Sequence, residues 1–270
     1  MSKRLVKIAL GQWKVAQGDT KANIDKMLKM IDEAASQNVD IICFPELANT
    51  GYFLESEELQ KLAETANGPF VQTLKEKAKS CKIHIIAGYT EADSVIPGRI
   101  YNSAVFIDDN GETIGNMRKV YLWGQEKLKF RAGESFPVIN TKFGKVGMLI
   151  CYDVELPEPS RIEALKGAEL IFVSAVWSIP AERRWDVDLA GNALFNLLFM
   201  AGSNPVEDNC CGKSKIVGPD GEVVAEASRT DEELLITTVD LERVVELRSR
   251  IPYLNDFKED TFSMDALKKY

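Results

Sequence analysis

Histidine is almost missing from this chain of 270 residues: His84 alone occurs, inside the apolar stretch KIHIIAG and far in sequence from any other titratable cluster. A lone imidazole there reads as a structural residue of a strand. Its isolation argues against Cys–His and Ser–His–Asp chemistry, so any nucleophile must take its base from a carboxylate or an amine. Metal-ligating patterns are lacking too. Cys210 and Cys211 are adjacent, with neither a CxxC partner pair nor a nearby histidine, so they read as packing residues and no metal is expected. The five cysteines are an odd set without framework spacing, as expected of reduced thiols in a cytoplasm. A basic excess is absent as well. The net charge is −8 and lysines and arginines are scattered, which argues against a nucleic-acid or anionic-membrane partner. No apolar run approaches the about 18 residues that a membrane-crossing helix needs. The opening MSKRLVKIALGQWKV puts basic residues before apolar ones, but Lys7 interrupts the run and no small-residue cleavage site follows, so it reads as a first strand and not a signal peptide. Gly212-Lys213-Ser214 ends like a phosphate loop, yet Glu207 stands where the earlier glycine is required, so no nucleotide site is expected.

What the chain does have is a core. Hydrophobic residues make up 45% and charged ones 27%, ordinary for a globular protein, and no linker, low-complexity block or fixed-period repeat divides it, so residues 1–270 read as one domain. Strands are expected over Arg4 to Gln12, Asp40 to Phe44, Ile83 to Tyr89, Val138 to Thr141, Leu170 to Ser174 and Leu198 to Ser203, alternating with helices over Thr20 to Gln37, Phe70 to Ser80 and Glu182 to Leu197. Thr20 is the expected N-cap of the first helix. Asp109-Asn110-Gly111 and Pro219-Asp220-Gly221 mark hairpins, and Tyr121 to Ser135 reads as irregular. Later strands are expected over Lys213 to Gly218, Val223 to Ala227 and Glu233 to Val239, with a helix over Leu241 to Ser249. Apolar helices beside two sets of strands imply two sheets packed face to face with helices on each outer side.

One stretch carries the chemistry. In KVGMLICYDVELPEPSR an apolar strand, Val146 to Ile150, ends on Cys151, and Pro157 and Pro159 mark the approach to a helix over Ser160 to Lys166. A thiol on a strand-to-helix turn is exposed at the sheet edge, while following backbone N–H groups stay free to bind an oxyanion. The alternative reading is an inert core thiol. Two other strand ends carry charge: Glu46 after Cys43-Phe44-Pro45, and Lys119 at the end of TIGNMRK. Taken singly, each reads as a solvated charge at a sheet rim. Together they make a chemically complete set. A carboxylate in a partly apolar pocket can take the thiol proton and hand it to a leaving amine. A nearby ammonium favours thiolate and, with a backbone N–H such as that of Tyr152, stabilises an oxyanion. Sulfur attack on an amide carbonyl would then expel ammonia and leave a thioester for water to hydrolyse.

FPELANTGY (Phe44 to Tyr52), RKVYLWGQE (Arg118 to Glu126) and GMLICYDVELPEPSR (Gly147 to Arg161) stand in an order and at separations that resemble the nitrilase superfamily of carbon–nitrogen hydrolases. The resemblance spans nearly the whole chain, including the SKIVGPDGEVV hairpin. It implies a four-layer α-β-β-α sandwich, with Glu46 as general base, Lys119 as oxyanion-stabilising amine, Cys151 as nucleophile and Glu126 as a second glutamate that positions substrate and water. It further implies no cofactor, and homodimers or higher homo-oligomers paired through the helices after the nucleophile, with a C-terminal tail of about residues 250–270 packing on a partner subunit. The chain departs from the family pattern where relatives carry an Arg and then Glu-Asn: here stand Asn192 and then Phe195-Asn196, and Glu207 replaces a common glycine after Asn204.

Pocket walls are expected from Tyr52, Trp123, Tyr152 and Trp177. Aromatic walls suit a small, largely uncharged amide, whereas Arg183 or Arg184 could bind a substrate carboxylate, as in an omega-amidase or N-carbamoyl amino acid hydrolase. A nitrile is the rival substrate, since the same residues can form a thioimidate. From a different class, the chain could be a thiol redox sensor or a non-catalytic assembly subunit.

Overall fold

A computed structural model gives the fold and describes residues 3–207 and 209–258. The expected partner-packing tail lies outside the described residues from 259 onward. In chain order, β1 (Leu5–Gln12) leads to α1 (Thr20–Ser36), β2 (Ile41–Cys43), α2 (Ser56–Leu62) and α3 (Pro69–Cys81). Strands β3 (His84–Ala92), β4 (Ile100–Ile107) and β5 (Thr113–Arg118) follow, then a one-turn helix α4 (Glu126–Lys129). The second half holds β6 (Val138–Asn140), β7 (Lys145–Ile150), α5 (Pro157–Leu165), β8 (Leu170–Ser174), α6 (Glu182–Asn196) and β9 (Phe199–Ser203). It closes with β10 (Lys215–Val217), β11 (Val223–Glu226), β12 (Glu233–Asp240) and α7 (Glu242–Arg250).

One sheet is ordered β12-β1-β2-β3-β4-β5 and the other β11-β10-β9-β8-β7-β6. In the first, β1, β2 and β3 run parallel, while β4, β5 and β12 pair antiparallel with their neighbours. The second repeats the plan with β7, β8 and β9 parallel. Parallel neighbours need a crossover, and α1, α5 and α6 supply it between β1 and β2, β7 and β8, and β8 and β9. The layers follow from side-chain alternation. Val6, Ile8 and Leu10 of β1 join Val146 and Met148 of β7 and Phe172 of β8 in a core between the sheets. Ala9, Ile42, Ile85 and Val105 face the other way, under Met27 and Ile31 of α1 and Phe70 and Leu74 of α3. Trp185, Leu189 and Ala193 of α6 cover the outer side of the second sheet. This is the expected α-β-β-α sandwich.

Several local expectations are corrected. Asp19, not Thr20, caps α1, accepting the Ala22 N–H at 3.0 Å; a carboxylate one residue earlier reaches the free N–H groups of the first turn. Helix α5 begins at Pro157 and not at Ser160, because proline at the first helical position forfeits only an N–H that has no partner there. Helix α2 had no expectation, and α4 lies within the stretch read as irregular; both are too short for a periodic signal. His84 packs edge-on against Phe106 and Phe143, in keeping with a structural residue. No described helix is long and apolar enough to cross a membrane.

Candidate active site

The three charged or nucleophilic strand ends converge. Glu46 lies in the turn beyond β2, and β3 passes so close that a side chain at Gly88 would sit 2.4 Å from the Pro45 carbonyl oxygen, so only glycine fits. Lys119 follows β5 directly; its N–H bonds the Asn102 carbonyl of β4 and its carbonyl accepts the Gly133 N–H, both at 2.8 Å. Cys151 is the first residue past β7. It has φ +46° and opens a 3-10 turn, Cys151–Glu155. A left-handed, non-glycine conformation costs about 1 kcal/mol or more, so the surrounding fold holds the sulfur on this sharp turn against local preference.

Lys119 Nζ donates to Glu46 Oε1 at 2.7 Å and to Glu126 Oε1 at 2.8 Å. Asn102 Nδ2 donates to the same Glu46 oxygen at 2.6 Å, and the Val176 N–H reaches Glu46 Oε2 at 2.8 Å. Glu126 opens α4, accepts the Tyr52 hydroxyl on Oε1 at 2.6 Å, and accepts the Trp123 N–H on Oε2 at 2.9 Å. The Cys151 thiol donates to the Val176 carbonyl at 3.7 Å. The cluster is dry: exposure is 0% for Lys119, 1% for Glu46, 3% for Glu126 and 9% for Cys151. Two carboxylates and one ammonium therefore share a low-dielectric site in which every polar contact is strengthened.

Protonation follows from this crowding. Burial opposes the Lys119 charge, yet Glu46, Cys151 and Glu126 together hold its pKa well above the ordinary lysine range. Burial also raises Glu46, with Lys119 pulling against it. Burial first, and then the Glu46 carboxylate, push the Cys151 thiol well above its usual range, outweighing Lys119. Lys119 does favour the thiolate, as expected, but burial and Glu46 outweigh it, so the thiol must lose its proton during reaction.

Cys151 lies on a cavity of about 150 Å³. Tyr52, Trp123, Tyr152 and Trp177, all expected wall residues, line it, with Phe53, Glu155, Ser178, Arg184, Asn209 and Cys210. Trp177 is fixed by its N–H to Asn204 Oδ1 at 2.6 Å and its indole Nε1 to the Ala181 carbonyl at 2.9 Å. The Arg184 guanidinium stands 5.8 Å from the Trp123 ring centroid and 3.3 Å from Glu155 Oε2, whereas Arg183 is not among the walls.

Cys210 and Cys211 are both buried, as packing residues would be, and a β-bridge between Ser178 and Cys210 also places Cys210 on the cavity wall. Of the departures in α6, Asn192 faces the turn after Cys151, its Nδ2 donating to the Val154 carbonyl at 2.9 Å, whereas Phe195 is exposed. Asn102 and Val176 were not foreseen. Asn102 had a readable signal, a side-chain amide inside the apolar strand IYNSAVFI; Val176 acts through its backbone, which side-chain identity does not reveal.

Residues 7–249 match the model of the carbon-nitrogen hydrolase family. The chain is 34% identical over 236 residues to a probable nitrilase of Schizosaccharomyces pombe, covering 85% of this chain and 87% of that protein. It is 33% identical over 258 residues to the 2-oxoglutaramate amidase of Bacillus subtilis, covering 93% and 97%. Among solved structures, Nit3 of Saccharomyces cerevisiae, a member of branch 10 of the nitrilase superfamily, is similar with a TM-score of 0.87 at 26% identity, covering 96% of this chain and 97% of that one.

Proposed function

The chain belongs to the carbon–nitrogen hydrolase family, and from that premise we propose that it is an amidase that converts a small primary amide to a carboxylate and ammonia through a thioester on Cys151. The observation that carries this reading is the buried Glu46–Lys119–Glu126 cluster, electrostatically coupled to Cys151. Glu46 takes the thiol proton as sulfur attacks the carbonyl carbon. Two of the three Lys119 N–H bonds are committed to carboxylates, which leaves one for the oxyanion beside the Tyr152 N–H. As the intermediate collapses, Glu46 returns the proton to nitrogen and ammonia leaves. Glu46 then deprotonates a water positioned with Glu126, and hydroxide attack on the thioester releases the acid and restores the thiol.

Within amides, Arg184 on the cavity wall favours acyl groups that end in a carboxylate over the uncharged substrates that aromatic walls alone suggest. The relative named 2-oxoglutaramate amidase supports the same choice. Ammonia release from a panel of simple amides, carboxylate-bearing amides, N-carbamoyl amino acids and nitriles tests it. Carboxylate-bearing amides are expected to lead, and Arg184→Ala is expected to raise their KM about tenfold with kcat little changed. Activity confined to nitriles would sink the amidase reading.

The assembly expected from the resemblance is a homodimer through α5 and α6. Ile162 and Leu165 on α5, and Val187, Leu194 and Phe195 on α6, are exposed apolar side chains at helical spacing, which supports an apolar outer face on these helices. Sedimentation velocity is expected to give twice the chain mass of 30.1 kDa, and Phe195→Glu to shift the population toward monomer. A wild-type monomer at micromolar concentration would remove this interface.

A further inference from the structure

Asp153 lies two residues past Cys151 and is wholly buried. Its Oδ1 accepts the Tyr121 N–H at 2.8 Å and its Oδ2 accepts the Ile150 N–H at 3.2 Å. Tyr121 follows Lys119 by two residues, and Ile150 immediately precedes Cys151. One carboxylate therefore joins the loop that presents the amine to the strand end that presents the sulfur. The Ile150 N–H lies beyond the last pairing of β6 with β7, which ends at Val138 and Gly147, and is taken up by the Asp153 carboxylate. Loss of the carboxylate would leave the buried Ile150 N–H without its acceptor and would free the half-buried Tyr121 N–H.

We propose that Asp153 is a positioning residue whose ionised carboxylate clamps the lysine loop to the nucleophile turn and so fixes Lys119 against Cys151. The clamp needs both oxygens as acceptors. Protonation turns one of them into an O–H, a much weaker acceptor, and weakens one of the two backbone bonds. Three charged or titratable groups face it: Lys119 from the lysine loop, which favours the ionised form; Glu46 from the β2 turn, which opposes it; and Glu163 from α5, itself buried and held well above the ordinary carboxylate range. Burial dominates and pushes Asp153 up to about 7. The sign is fixed by this: the clamp is closed above neutral pH and opens as pH falls through it. Misplacement of reacting groups by about 1 Å can cost about 10²-fold in rate, so the opening is read in turnover and not in substrate affinity.

The test rests on the amidase reading for one arm only. In that arm, Asp153→Asn, which keeps shape but replaces an acceptor by a donor, is expected to lower kcat about 30-fold with KM within about twofold. The acid limb of log kcat/KM is expected to have a slope of two in wild type, for Glu46 and Asp153, and one in the variant. A variant kcat within about threefold of wild type, or a wild-type slope of one, overturns the proposal; the wild-type slope decides it even if the variant does not fold. The second arm needs no turnover. Iodoacetamide labelling of Cys151, followed by peptide mass mapping across pH, is expected to slow with the same two-proton dependence, and a one-proton dependence overturns the clamp. Wild type inactive on every amide, with two-proton labelling, would remove the amidase reading and leave the clamp standing.

Discussion

Replacing Cys151 by alanine is expected to lower ammonia release by about 10⁴-fold or more, the loss seen when a covalent nucleophile is removed and only binding and oxyanion contacts remain. The structure makes this a clean experiment. The bonds that hold Lys119 to Glu46 and Glu126 run through nitrogen and oxygen and do not involve sulfur. The thiol's own contact is a single long bond to the Val176 carbonyl. Stability is therefore expected to change by no more than about 1 kcal/mol, so lost activity cannot be assigned to unfolding. Mass spectrometry of wild type quenched during turnover is expected to find the acyl adduct on Cys151, and the variant should carry none. Retained hydrolysis would end the covalent mechanism. A sensor or silent assembly subunit would instead tolerate the loss of Glu46 and Lys119 while Cys151 oxidised reversibly.

The second large effect concerns the amine. Lys119→Ala leaves Glu46 and Glu126, both almost wholly buried, without the cation that bridges them. Breaking a buried pair by removing one partner costs about 3–5 kcal/mol, because the remaining charge stays desolvated. Activity is expected to fall about 10³-fold alongside, as an oxyanion donor is lost. The stability defect has a sign in pH. With the ammonium gone, nothing opposes the burial that raises Glu46 above its unfolded value, so the native state binds more protons than the unfolded one and stability falls as pH rises. Denaturation midpoints of the variant are expected to improve as pH is lowered and Glu46 takes up its proton. Lys119→Met combined with Glu46→Gln should regain part of the stability and none of the activity, since it removes charge from both sides. An additive double variant would show that the pair is not coupled.

The legible parts of the site share one property: the residue type carried the information. Cys151, Glu46 and Lys119 stand at the ends of apolar strands, where a reactive or charged side chain is conspicuous. Glu126 was reachable through the motif it shares with relatives. Asp153 carries no signal of its own in the sequence, because it bonds backbone N–H groups and the fold alone sets its two partners. The local sequence around Cys210 describes packing, which its burial bears out, and only the bridge to Ser178 places it on the cavity as well. Arg183 and Arg184 are adjacent and chemically identical; helix phase decides that Arg184 meets the cavity.

Apolar patterning along the chain determined by itself most of the strands and the longer helices, the two-sheet layering and the positions of Glu46, Lys119 and Cys151 at strand ends, because burying apolar surface leaves few other arrangements. Tertiary structure alone decided that these ends meet, that Lys119 bonds two carboxylates at once and that burial and Glu46 raise the thiol above its usual range. Distance and desolvation set those outcomes, and neither is a property of any residue until residues far apart in the chain have packed together.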